Sequence, residues 1–107
     1  MQKNEKIIQK PLLRLHSSIT ISNLWLSILS LATIEPIYAY TLADSIEKKF
    51  GFKPSRLLVY LVLYKLENEG FLRSKEQNKR NYYYITTDGK ALLKRAKELL
   101  IARAEEI

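Results

Sequence analysis

Only three glycines and three prolines interrupt the 107-residue chain, and their positions divide most of it into short segments. Pro36, Gly51, Pro54 and Gly70 bound three stretches in which apolar residues return every three or four positions, the period of a helix. A first helix is expected over about 22–31. Ile21, Leu24, Trp25, Ile28 and Leu31 would form its apolar face and Asn23, Ser27 and Ser30 its polar one. Residues 33–36 break it, because a proline pushes the preceding residue out of the helical region. A second helix is expected over 39–50, with Leu42, Ala43, Ile46 and Phe50 as its buried stripe and Gly51 as its stop. A third starts at Pro54 and Ser55, where the serine hydroxyl can cap a free amide, and continues to Glu69 before Gly70.

The pattern then changes. Residues 71–74 read as a strand, 75–80 as a polar charged tip and 81–86 as a second strand carrying three consecutive tyrosines. Strand alternation places Tyr82 and Tyr84 on one face and Tyr83 on the other, toward the core. A last helix opens at Thr86, Thr87 and Asp88, with a threonine cap and an acid at its positive end, and runs to about Glu105. Three helices, a hairpin and a further helix give an α+β, mostly α class in the order of a winged helix-turn-helix. The expected organisation is a basic leader over 1–19, a winged helix-turn-helix over 20–86 and a C-terminal helix over 87–107. The leader carries Lys3, Lys6, Lys10 and Arg14 against Glu5, and Pro11 is expected to interrupt any helix there. It reads as a short helix on a partner chain or as a loose arm.

Charge narrows the partners. Eighteen basic residues against eleven acidic ones leave a net charge of +7. Such an excess on a small domain suits a polyanion, nucleic acid before an anionic membrane. With no cysteine, thiolate chemistry and disulfides are excluded. The apolar runs 24–34 and 57–66 are shorter than the roughly 20 residues a membrane span needs, so a soluble cytoplasmic protein is expected.

Catalysis finds no foothold in the residues. His16 is the one histidine, no ligand set stands at metal spacing, and no glycine-rich phosphate loop exists. Glu67 and Glu69 project about 200° apart on a helix and do not converge as an acid/base pair. No catalytic residue, metal or cofactor is therefore expected.

Three stretches carry a resemblance. Residues 36–42, Pro-Ile-Tyr-Ala-Tyr-Thr-Leu, resemble the Pro-Leu-His-Gly-Tyr-Glu-Leu turn of the PadR-like transcriptional regulators. Tyr60 to Leu63 with Leu66, Glu67, Asn68, Glu69, Gly70, Phe71 and Leu72 are similar to that family's recognition helix and its exit. Residues 80–89 are similar to its second wing strand and its Thr-x-x-Gly approach to the last helix. The resemblance spans about residues 24–100 and implies a dimeric double-stranded-DNA-binding regulator, a repressor in the expected mode. It also implies a small aromatic effector, which no single residue identifies. One departure stands out: the family's glycine before the tyrosine is Ala39 here.

On that reading the third helix enters the major groove and the hairpin tip follows the backbone. The expected DNA-binding residues are Lys53, Ser55, Arg56, Leu57 and Tyr60 at the helix, and Lys75, Asn78, Lys79 and Arg80 at the wing. The third helix is unusually apolar. Val59, Val62, Leu63 and Leu66 share its core face, while Leu57, Leu61, Tyr64 and Asn68 point away, with Tyr60 at the edge. That outer stripe suits a partner subunit or the leader, thymine methyls in a groove, or a small ligand. Leu93, Leu100 and Ile107 recur at seven-residue spacing in the last helix. With Leu92, Ala96, Leu99 and Arg103 they form the expected dimer interface, or close the core of the monomer. The rival function is a winged-helix module that binds protein within a larger assembly.

Overall fold

Gly51 and Gly70 both take left-handed backbone, with φ of 80° and 88°, and each ends a helix at the place its sequence position announces. The computed structural model describes residues 2–107, with side chains from Gln9 onward. Lys3, Glu5, Lys6, Ile7 and Ile8 thus lie outside the described side chains. The chain forms α1 (Gln2–Ile19), a single 3-10 turn (Ile21–Asn23), α2 (Trp25–Ala32), β1 (Ile37–Tyr38), α3 (Ala39–Phe50), α4 (Arg56–Asn68), β2 (Leu72–Gln77), β3 (Arg80–Ile85) and α5 (Thr87–Glu106).

The sheet has the order β1-β3-β2, antiparallel throughout, with β3 in the centre. Helices α2, α3 and α4, with Leu24 at the N-cap of α2, bury Leu24, Ile28, Leu29, Leu42, Ile46, Val59, Leu63 and Leu66 against one another. Ile37 and Leu72 close this core from the sheet, and Leu93 closes it from α5. Replacing Leu63, which is wholly buried, by alanine would cost about 2–5 kcal/mol through lost contacts and the cavity left behind.

A junction of three elements sets the wing on this core. The Thr86 hydroxyl donates to the Gly70 carbonyl at 2.7 Å and accepts the Gly89 N–H at 3.0 Å. The Thr86 N–H donates to the Phe71 carbonyl. One residue therefore caps α5 while tying it to the exit of α4. Gly89 sits against that turn, and a Cβ there would collide with the Phe71 carbonyl oxygen and the Ile85 side chain. The Thr-x-x-Gly spacing is thus a packing requirement.

Several expectations need correction. Helix α1 runs through Pro11, which removes one backbone donor without stopping the turns on either side. Ile21 is exposed at the 3-10 turn, and α2 buries Ser27 alongside Ile28 and Leu29, so its core face is rotated from the expected one. Phe50 is 36% exposed; it leaves the buried stripe at the last turn of α3 and lies against Phe52 with ring centroids 6.5 Å apart. The wing strands run further than expected, to Gln77 and from Arg80, leaving Asn78 and Lys79 alone as the turn. Both have positive φ, 52° and 63°, as a two-residue hairpin turn of matching twist requires. Lys75 accordingly lies within β2, not at the tip, and Arg80 opens β3.

The molecule is extended, 56 × 27 × 21 Å, with a Cα radius of gyration of 15.8 Å. A compact domain of this length would have about 13 Å. The excess comes from α1 and the far half of α5, whose apolar residues Leu12, Leu13, Leu15, Leu99, Ile101 and Ile107 are exposed. Among the described residues no single helix is long and apolar enough to cross a membrane.

Candidate nucleic-acid interface

The outer surface of α4 begins at a well-formed cap. The Ser55 side chain accepts the Leu58 N–H at 3.1 Å, which leaves its own O–H free to donate outward. Arg56 follows as the first helical residue and is exposed. Val59, Leu63 and Leu66 face the core and Val62 is half-buried. Leu57, Leu61 and Tyr64 are 70%, 57% and 70% exposed, and Tyr60 stands at 44%. The helical wheel drawn from sequence therefore sorts the two faces of this helix correctly.

Lys53 sits just before the cap, with its ammonium 3.0 Å from the Asp44 carboxylate of α3. The hydrogen bond to Asp44, and then the charges of Asp44 and Glu47, hold the lysine above its ordinary pKa of 10.5. Both partners are largely exposed, so the pair can open. It is the one ion pair among the described residues, and it makes Lys53 the least available cation of the expected set.

The wing carries Lys75, Asn78, Lys79 and Arg80, all exposed. Register sorts its faces. Tyr83 pairs with Ile37 and Ser74 on the core side, while Tyr82 pairs with Tyr38 and Lys75 on the outer side. Arg73, opposite Tyr84, also lies on that outer face and is exposed, a basic residue missed in sequence because its strand partner was not known. Glu67 of α4 reaches across to β2, where its carboxylate accepts both the backbone N–H of Ser74, at 3.1 Å, and the Ser74 hydroxyl. The wing is thus fastened to the far end of α4. Burial, the nearby Glu67 charge and Tyr60 raise the Tyr83 phenol above its ordinary pKa of 10.0.

Two arginines of the expected interface rest on aromatic rings. The Arg56 guanidinium carbon lies 4.4 Å from the ring centroid of Tyr40, and that of Arg80 lies 5.1 Å from the centroid of Tyr38. Neither tyrosine was legible as a site residue. Tyr38 belongs to β1, a two-residue strand without periodic signal, and Tyr40 meets Arg56 from 16 positions away.

The residues of the expected dimer interface divide. Leu93 is 6% exposed and Leu92 half-buried, so both pack into the monomer core through the first turns of α5. The seven-residue seam is split by where the helix leaves the core. Leu99, Leu100, Arg103 and Ile107 remain exposed, and Ala96 is half-buried. Ala96, Leu99 and Leu100 line a groove of about 530 Å³ together with Ile19, Trp25 and Leu26.

The transcriptional regulator PadR-like family matches residues 28–95, well over half of the chain. The chain belongs to the PadR-like family. Its members are transcriptional regulators and not enzymes. The matched span falls within the 24–100 stretch on which the sequence motifs lie. A transcriptional regulator from Clostridium thermocellum is 25% identical with a TM-score of 0.74, over 83% of this chain and 90% of that one. A PadR family transcriptional regulator from Eggerthella lenta is 23% identical with a TM-score of 0.75, covering 99% and 93% of the two chains. F93 from STIV, a winged-helix DNA-binding protein, shares the fold at 18% identity and a TM-score of 0.65, over 75% and 87%. No curated protein matches the chain. The family's glycine is dispensable here: Ala39 is the first residue of α3, and among the described residues positive φ outside glycine is confined to Asn78 and Lys79.

Proposed function

We propose that this PadR-like regulator is a cytoplasmic, homodimeric, sequence-specific double-stranded-DNA-binding repressor. In this reading α4 enters the major groove and the wing follows the sugar-phosphate backbone. The observation that carries it is the shared geometry of the α4 start and the wing: Ser55, Arg56, Lys75, Lys79 and Arg80 are all exposed, and the wing is tied to α4 through Glu67 and Ser74. Arg56 can pair with guanine through two hydrogen bonds, and Leu57 and Tyr60 can meet thymine methyls and sugars. Lys75, Asn78, Lys79 and Arg80 serve as phosphate contacts, which fix register without reading sequence. Lys53 joins them once its pair with Asp44 opens.

Dimerisation through α1 and the outer half of α5 is part of the same reading. Leu99, Leu100 and Ile107 would meet a second copy, with Ala96 and Arg103 at the edge of the contact. A twofold axis would then place two α4 helices on successive turns of one face of the duplex. The small aromatic effector enters through the family. The groove of about 650 Å³ lined by Tyr38, Tyr82, Tyr84, Lys48 and Lys49 has the size of a small-ligand site.

The test is a titration with random-sequence duplex at 50 and 200 mM salt. Six to ten phosphate contacts per dimer predict an affinity loss of about a thousandfold or more between the two, as condensed counterions are released. A flat response would overturn the reading in favour of a winged helix that binds protein.

A further inference from the structure

An arginine at a DNA-binding surface has a cost that the fold can reduce. Its long side chain has rotamer freedom, part of which is lost when the guanidinium is fixed on a base or phosphate. Pairing it with a carboxylate would hold it still, but would occupy its donors and cancel its charge, as Asp44 does for Lys53. An aromatic face holds the plane of the guanidinium and leaves all of its N–H edges open. Among the described residues neither Arg56 nor Arg80 has an acidic partner, and each lies over a tyrosine.

The two tyrosines belong to one cluster. Tyr38 and Tyr40 have ring centroids 6.0 Å apart, and Tyr38 lies 5.7 Å from Tyr82, its partner across the β1·β3 ladder. Arg80 is two residues before Tyr82 on the same strand face, which brings it diagonally over Tyr38. Tyr40 follows in the first turn of α3, and there it meets Arg56 at the first turn of α4. A continuous row thus runs Arg56, Tyr40, Tyr38, Arg80. It connects the start of α4 to the tip end of the wing across the end of a two-residue strand.

We infer that Tyr38 and Tyr40 are positioning residues of the nucleic-acid interface, which hold Arg56 and Arg80 on their ring faces so that both arginines meet DNA already oriented. This rests on the reading that these arginines contact duplex DNA. The tyrosines act through the arginines and by their rings; their hydroxyls are not required.

The experiment is a double-mutant cycle by fluorescence anisotropy, using a duplex selected from a random pool and a random-sequence duplex of equal length. Tyr40→Ala should weaken the selected duplex about two- to fivefold, the range expected of a surface cation–π contact. Tyr40→Phe should retain wild-type affinity, and Tyr40→Ala with Arg56→Ala should bind no more weakly than Arg56→Ala alone. Tyr38→Leu against Arg80→Ala should behave likewise on both duplexes. Tyr40 is 55% exposed, so thermal melting of its variants should match wild type. If Tyr40→Phe loses as much as Tyr40→Ala, or if the Tyr40 and Arg56 losses add in full, the positioning role is overturned. If Arg56→Ala weakens binding while Tyr40→Ala does not, the positioning role alone fails. If Arg56→Ala changes nothing, the assignment of Arg56 to the interface fails, and the role of Tyr40 with it.

Discussion

Two parts of the molecule expose apolar side chains in runs along a helix, and they do so in different company. On α4, Leu57, Leu61 and Tyr64 form a narrow stripe that starts beside Ser55 and Arg56. On α1 and the outer half of α5, Leu12, Leu13, Leu15, Leu99, Leu100 and Ile101 stand on helices that project beyond the core, beside an apolar groove. In sequence the two look alike, as greasy helical repeats. What separates them is the neighbouring charge and the distance from the core. A stripe hemmed by arginine and a capping hydroxyl suits a polyanion with apolar methyls in its groove. A projecting pair of apolar helices suits another apolar surface, which a second copy of the chain would supply in the proposed dimer.

The largest effect should come from the projecting helices. Leu99→Asp with Leu100→Asp should leave the fold intact, because both side chains are outside the core, and sedimentation should show half the wild-type mass. Specific DNA affinity should fall by about a hundredfold or more, as two linked half-site contacts become one. Leu93 is unsuitable for this test. It is buried, and a charge there would unfold the monomer. A wild-type monomer at micromolar concentration would erase the distinction drawn between the two apolar regions.

The next effect separates the proposed base-reading part of α4 from the wing. Arg56→Ala should cost about 1–3 kcal/mol on a selected duplex and relax base preference at one position per half-site. Lys79→Ala with Arg80→Ala should weaken selected and random duplex alike and make the salt dependence shallower. Equal loss on all sequences for Arg56→Ala would make it a phosphate contact and move base reading to Leu57, Tyr60 or DNA shape.

A smaller effect tests the link between the two regions of the interface. Glu67→Ala leaves the Ser74 N–H and hydroxyl without their acceptor, and should cost about 1–3 kcal/mol in urea unfolding. Random-duplex affinity should fall with it, since the wing loses its anchor to α4. Unchanged stability would mean that water replaces the carboxylate fully.

The limits of sequence reading follow the same division. Helix α3, the capped start of α4, and the Thr86 cap of α5 were legible because their signals are local: a glycine, a serine, a threonine and an apolar period. The two faces of α4 were legible for the same reason. The strand β1 was not, because two residues carry no period and its partner Tyr82 lies 44 positions away. Without β1, Tyr38 and Tyr40 were legible only as part of a motif and not as site residues, and without the hairpin register Arg73 could not be placed opposite Tyr84. Leu93 looked like part of a dimer seam because spacing along a helix does not say which turn still touches the core. Helix α1 was obscured by Pro11, whose missing donor is a weaker obstacle than a sequence rule suggests.

The most direct test of the central claim is selection of duplex DNA from a random-sequence pool by the wild-type protein. A homodimer that reads bases with two copies of α4 predicts one enriched, twofold-symmetric site, its half-sites about 10 base pairs or a multiple apart from centre to centre. Enrichment of no sequence, or of a single asymmetric element, would contradict it.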